Sequence, residues 1–192
     1  MSNKFVLVPL HHHFNNNGIS LHLHQSDGDF DCYGQTYPSE ELPQSGEIIS
    51  VDQVEFLFPI KKEGYKNNIA FNSQTIQVPE NGYSFLHLLG ASDGGSFEEE
   101  IGCCYESGVA KCKVGLTDFF EKEPRFGETV GLRCSHYHTR SDKGGCHYSN
   151  ITPTMWHQRI KLNERQKLRQ LVLTDNPCVH IFCLTLRLSM EE

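Results

Sequence analysis

An all-β chain, folded as an antiparallel two-sheet β-sandwich, is what this sequence predicts, on three observations. Apolar runs are short and recur about every 8–12 residues, separated by Gly, Asn, Asp and Ser. Within several runs apolar and polar residues alternate, as on a strand with one face buried. Glycine (16), phenylalanine (12) and tyrosine (7) far outnumber methionine (3), a composition suited to pleated sheets and tight turns.

The elements follow in order. KFVLVPL predicts a strand stopped near Pro9, which has no N–H to give to a ladder. In GISLHLHQ, Ile19, Leu21 and Leu23 alternate with Ser20, His22 and His24, predicting a half-buried strand whose histidines face solvent. Glu47–Ser50 and Val54–Phe58 flank an Asp52-Gln53 turn, and NNIAFNSQTIQVP gives two short strands around Asn72-Ser73. YSFLHLLGAS is a further strand, ended by Gly90 and SDGGS. EEIGCCYESGVAKCKVGLTDFF reads as a pair turning at Ser107-Gly108, followed by ETVGLRCSHYH and TMWHQRIKL. NERQKLRQLVL reads equally as a helical turn or a strand. VHIFCLTLRLS is apolar at most positions and belongs at the centre, covered on both faces.

Length and charge narrow the function. The 192 residues suit one domain over 1–192, with a core large enough to need no staples. A net charge of -7 argues against a nucleic-acid surface, which needs a basic footprint. Phe5–Leu10 is too short for a signal h-region, and no run approaches a membrane span, so the expected location is cytoplasmic. The eight cysteines are then expected as free thiols, and the Asn150-Ile151-Thr152 sequon as unused. His11, His12 and His13 lie between a strand-like run and FNNNGIS without a linker, and read as native residues.

Several segments share an order with a known family: FNNNGIS, GDFDCYGQTYPSEELPQSG, VEFLFP, NNIAFNSQTIQVP, YSFLHLLGAS, TMWHQRIKL and VLTDNPCVHIFCLTL. Together, over about residues 14 to 186, they resemble a jelly-roll β-sandwich appended to bacterial glycoside hydrolases and found alone in fungi and other microbes. The resemblance implies a galactose-binding-like or carbohydrate-module fold. Asn67-Asn68 stands for the family's Asp-Asn, Ser73-Gln74 for Gly-Gln, Leu173-Thr174 for Leu-Pro, and Cys183 for a small residue; these read as surface-turn or small-residue changes. A shared fold does not settle a shared ligand.

Asp27, Asp29 and Asp31 alternate like an EF-hand loop, but Cys32 and Pro38 occupy the positions that need Gly and Glu. A structural calcium at the sandwich edge stays open. The better reading of residues 26 to 46 is a scaffold: Phe30, Tyr33 and Tyr37 plug one end of the sandwich, prolines stiffen it, and Glu40 or Glu41 caps nearby amides.

The most chemically loaded segment is CSHYHTRSDKGGCHYSNITPTMWHQR. Sugar recognition needs aromatic platforms beside groups that read hydroxyls. His136, Tyr137, His138, Arg140, Asp142, Tyr148, Asn150 and Trp156 supply both, with Arg159 just beyond. The leading expectation is therefore a non-catalytic, lectin-like protein that takes a glycan or glycoconjugate, with a homo-oligomer as the arrangement that would strengthen weak sites. A second reading is a metal-dependent enzyme of cupin type, because His136 and His138, two apart on a strand, share a face. Its match is imperfect: Gly131 is one residue too close, Asp142 replaces Glu, and the later histidine motif is not evident. Zinc held by Cys134, His136, Cys146 and His147 is a further arrangement, without the Cys-x-x-Cys form. A third reading is a protein–protein module pairing through a sheet edge. No Gly-x-Ser-x-Gly elbow occurs, Cys103-Cys104 reads as core, and no carboxylate pair is singled out for glycoside hydrolysis.

Overall fold

In the computed structural model of the chain, residues 4–24, 27–140, 145–147 and 151–189 are described, those of 145–147 through their backbone alone. The strands run β1 (Phe5–Val8), β2 (Ile19–Ser20), β3 (Gln35–Pro38), β4 (Ile48–Val51), β5 (Val54–Leu57), β6 (Ile69–Ala70), β7 (Thr75–Ser92) and β8 (Phe97–Tyr105). They continue as β9 (Gly108–Leu116), β10 (Thr129–Arg133), β11 (Tyr137–Thr139), β12 (Gly145–His147), β13 (Thr154–Lys161), β14 (Lys167–Val172) and β15 (Val179–Leu188). A 3-10 turn at Ser39–Glu41 follows β3 directly.

The long strand β7 organises the sandwich. Its first half pairs with β14, from Thr75↔Val172 to Gly82↔Lys167. Its second half pairs with β13 on one side and β15 on the other. β14 carries β8, and β8 carries β9, so the path runs β1-β15-β7-β14-β8-β9, with β10 added through β13. β9 folds back over β13: the Gln158 side-chain amide donates to the Gly115 carbonyl at 3.1 Å. The sequence reading divides β7 at VPENG. The strand instead runs through, and Pro79 falls where the ladder skips from Gln77 to Asn81, at a bulge that needs no N–H from it.

Period-two geometry sorts the side chains of the β15–β7–β13 layer. Leu86, Leu88, Ile160, Leu184 and Leu186 share the face turned to β9 and are buried. β15 is buried from Val179 through Leu186, as expected for a central strand. The ambiguous NERQKLRQLVL segment resolves as strand β14, held on both edges by β7 and β8. The opposite face carries Phe85, His87, His157, Arg159 and Arg187, partly roofed by the β4–β5 hairpin, whose Glu55 carbonyl accepts from Thr185 Oγ1 at 2.7 Å.

On that face a row of hydrogen bonds runs inward. Asp52 Oδ2 meets His157 Nδ1 at 2.9 Å, and His157 Nε2 meets His87 Nδ1 at 3.0 Å. Burial first, then His157, Arg159 and Arg187, push the His87 pKa from 6.5 down to about 4. An unfolded histidine takes its proton near pH 6.5, so the unfolded state binds more protons between these values. This stability is therefore complete above pH 6.5 and drains away as pH falls toward 4. Allowing for the opening of this face to water, His87 accounts for a loss on the order of 2 kcal/mol. Urea midpoints at pH 7.5 and 4.5 should differ less in His87→Gln than in the parent. Equal differences would show that His87 does not titrate this way.

Two sequence expectations need correction. β2 ends at Ser20, and a turn closed by His24 N–H on the Leu21 carbonyl (2.9 Å) replaces the predicted alternation, leaving Leu23 86% exposed. Asn67 and Asn68 are not surface-turn residues. Both are buried, and their side chains pin the FNNNGIS segment from below. Asn67 Oδ1 accepts from Gly18 N (2.9 Å) and Ile19 N (3.1 Å), while its Nδ2 donates to Ile19 O at 2.8 Å. Asn68 Nδ2 meets His180 Nδ1 at 2.9 Å, and His180 Nε2 meets Asp93 Oδ2 at 3.0 Å. Gly18 is required there, because a Cβ would lie 2.9 Å from Asn68 Oδ1 and from the Phe182 ring.

The segment quoted as a scaffold does hold strands. Phe30 and Tyr37 are buried, Phe30 packs on Phe119 at 4.8 Å, and Tyr37 donates its hydroxyl to Thr154 O at 2.7 Å. Tyr33 does not join them; it is 76% exposed. Asp31 Oδ1 accepts from the N–H groups of Tyr33 (3.0 Å) and Gln35 (2.7 Å), and Asp29 pairs with Lys66 at 2.7 Å. Seven cysteines, Cys146 aside, are free thiols. Among the described residues no helix is long and apolar enough to cross a membrane.

Candidate metal centre

A small second sheet, β12-β11-β3-β2, builds the site. β2 and β3 pair in parallel, setting Ser20 beside Pro38, and β11 pairs antiparallel with β3, setting His138 opposite Thr36. The 3-10 turn then begins at once after Pro38 and places Glu40 and Glu41 against the face that carries His136 and His138.

One oxygen of Glu40 is the focus. His138 Nε2 lies 2.9 Å from Glu40 Oε1, His136 Nε2 3.3 Å and His22 Nδ1 3.6 Å. Ligand atoms about 2.1 Å from one ion, at angles between octahedral and tetrahedral, sit about 3.0–3.4 Å apart. The ligand atoms of His22, Glu40 and His138 all lie within 4.8 Å of one another.

The far nitrogens are also engaged. His138 Nδ1 meets Ser20 Oγ at 2.9 Å, and Ser20 Oγ meets Thr36 Oγ1 at 2.6 Å. His136 Nδ1 meets Glu41 Oε1 at 3.1 Å. Such partners fix ring orientation and tautomer, and leave Nε2 of both rings turned toward Glu40. Glu41 also accepts from Ser135 N at 2.6 Å, the amide capping expected of this pair of acids.

Burial is graded. The His138 side chain is 0% exposed and His136 4%, while Glu40 is 37% and His22 64%, so the cluster has a dry floor and a wet rim. Burial lowers the His138 pKa against the opposing pull of Glu40, keeping the ring toward its neutral, ligating form. Burial also tends to raise the Glu40 carboxyl, but its backbone hydrogen bond and the two histidines outweigh this, and its pKa falls below the usual carboxylate range. A neutral imidazole beside an ionised carboxylate is the state a divalent ion binds.

The residues picked from sequence separate. His136 and His138 come together with their rings facing the same carboxylate. Tyr137, on the other face of β11, packs on Phe120 at 4.9 Å. Arg140 is exposed, and its N–H donates to Gly34 O at 2.9 Å. Trp156 is 0% exposed, its indole N–H on Asp118 O at 3.3 Å, so it fills the core and cannot offer a ring face to a sugar. Asp142, Tyr148 and Asn150 lie outside the described residues. Of the four-ligand zinc arrangement, the Cys146 and His147 side chains lie outside the described residues, while Cys134 is buried, its pKa pushed up to about 12 by burial and by the neighbouring Glu41 and Glu40. Arg159 points to the hairpin face instead.

Sequence reasoning did not bring His22 and Glu40 together with His138. His22 lies 6.0 Å from His138, ring to ring, because the chain turns after Ser20 rather than continuing as a strand. Glu40 was named only together with Glu41, as an acid that caps amides.

The chain belongs to the AziU2-like beta-sandwich domain family, whose profile matches residues 4–189. No curated protein matches it.

Proposed function

We propose that this β-sandwich binds a divalent transition metal through His22, His138 and Glu40, with His136 bonded to Glu40 beside them, and that a metal-dependent activity on a small molecule is its work. The observation that carries this reading is the convergence of three imidazoles on Glu40 Oε1, with the second nitrogen of each buried ring already held by Ser20 or Glu41. Imidazole and carboxylate donors suit zinc, iron or manganese better than calcium. With three protein ligands, and a wet side at His22, a position remains for a ligand or water, which the ion would polarise. Untagged protein should carry close to stoichiometric metal by elemental analysis. His136→Ala/His138→Ala should lose it, and alanine at His11, His12 and His13 should not. Protein purified without metal that also takes up none on incubation would sink the proposal.

A glycan is a second reading, supported by the exposed Tyr33 ring on the loop that Arg140 joins through Gly34, and by the resemblance to carbohydrate modules. An aromatic platform beside a guanidinium is the pattern sugars use. A glycan array followed by titration should give saturable binding that Tyr33→Ala weakens. No saturation at millimolar sugar removes this reading.

A further inference from the structure

The hairpin face holds a second cluster, built on other strands. A cleft of about 420 Å³ opens between the β4–β5 turn and the β1–β15–β7–β13 sheet, within the size range of small-molecule sites. Lys4, Arg159 and Arg187 line it. Both guanidiniums lie beside the Phe85 ring, at 5.0 and 5.9 Å from its centroid. Among the described residues no carboxylate forms an ion pair with any of these three cations, in a protein whose net charge is -7. Asp52, the acid in the cleft, is committed to Thr129 (2.5 Å) and His157 (2.9 Å).

His87 lines the same cleft at 2% exposure, and its Nε2 has no hydrogen-bond partner. The row behind it sets its tautomer. An ionised Asp52 accepts from His157 Nδ1–H, His157 Nε2 then accepts from His87 Nδ1–H, and His87 Nε2 is left as a bare acceptor. A buried acceptor without a donor is costly, and its satisfaction by a ligand is a natural source of affinity. The turn that delivers Asp52 is itself unusual. Asp52 and Gln53 both hold positive φ, 50° and 64°, where glycine or asparagine is the ordinary choice.

We propose that this cleft binds a small molecule carrying an oxyanion, of phosphate, sulfate or carboxylate type, between Arg159 and Arg187, with an O–H or N–H of the same molecule donated to His87 Nε2. The cations neutralise the anion, and the Asp52–His157 row holds His87 in the neutral tautomer whose Nε2 accepts the ligand's hydrogen bond. This site does not rest on the metal centre.

The test is an NMR titration of chelator-treated protein, in separate arms, with inorganic phosphate, sulfate and glycolate, reading the imidazole nitrogens of His87 and His157. At least one probe should saturate, shift the His87 Nε2 resonance, and bind about tenfold or more weakly to Arg159→Gln/Arg187→Gln, the factor expected for losing a charge-assisted hydrogen bond. Asp52→Asn should turn the tautomer row around and move the His87 signals before any ligand is added. The arms distinguish the oxyanion classes. No saturable shift with any of the three, or equal affinity in the double arginine variant, overturns the proposal. Both arginines lie at the surface or half-buried, so a thermal melt of that variant should match the parent.

Discussion

Asn67→Leu should cost the protein about 3–5 kcal/mol, because it strips partners from buried backbone rather than from solvent-exposed groups. Asn67 is 1% exposed, and its amide serves both the N–H and the C=O of Ile19, and shares Gly18 N–H with Asn68 Oδ1. Leucine keeps the branched shape, so no cavity forms; the lost polar partners set most of the cost, and its bulkier methyl groups add overpacking to it. Each backbone group left dry without a partner costs about 1–3 kcal/mol. Total stabilities are about 5–15 kcal/mol, so the variant should lie near the edge of folding at 37 °C. Urea denaturation followed by tryptophan fluorescence reads it directly, Trp156 being the single buried reporter. The midpoint should fall while the m-value holds. A loss under about 1 kcal/mol would mean that Ile19 finds other partners and that the asparagine pair is not the pin it is drawn to be.

That pair also marks where reading the sequence reaches its end. Strand pairs closed by short turns are legible, since both partners and the turn fall in one window: β4–β5 about Asp52-Gln53, and β8–β9, whose turn falls at Glu106-Ser107. The central place of β15 is legible from its apolar run. Burial of polar residues is not, because Asn67 earns its place through Gly18 and Ile19, which stand almost fifty positions away. The same holds for the metal centre. His136 and His138 announce themselves by spacing, but Glu40 meets His138 across 98 positions and Ser20 meets it across 118. His22 was placed on a strand by an alternating pattern that the turn after Ser20 overrides. Trp156 shows the reverse error. Its neighbours are polar and aromatic, as in a sugar site, yet it pairs with Gly90 on β7 and its side chain is fully buried.

Zinc added to chelator-treated protein should raise the melting temperature by about 8–16 °C, and Glu40→Gln should remove most of that rise. The size follows from linkage. An ion at a thousand times its dissociation constant stabilises by about 4 kcal/mol, and a chain of this length shifts by about 2–4 °C per kcal/mol. Tight binding is expected because little has to be reorganised: His138 and His136 are buried, and their Nδ1 atoms are held by Ser20 and Glu41. Glu40→Gln separates the metal from the fold. Glutamine keeps the carbonyl oxygen that the histidine N–H groups meet, so the metal-free melt should stay within about 2 °C of the parent. It removes the negative charge that a divalent ion needs amid neutral imidazoles. Equal zinc shifts in parent and variant would place the ion elsewhere, at His11–His13 first of all. If zinc moves neither melt, the convergence on Glu40 is a hydrogen-bonded latch that ties β3 to β11, and His138→Ala should then destabilise the metal-free protein as strongly as the holo form.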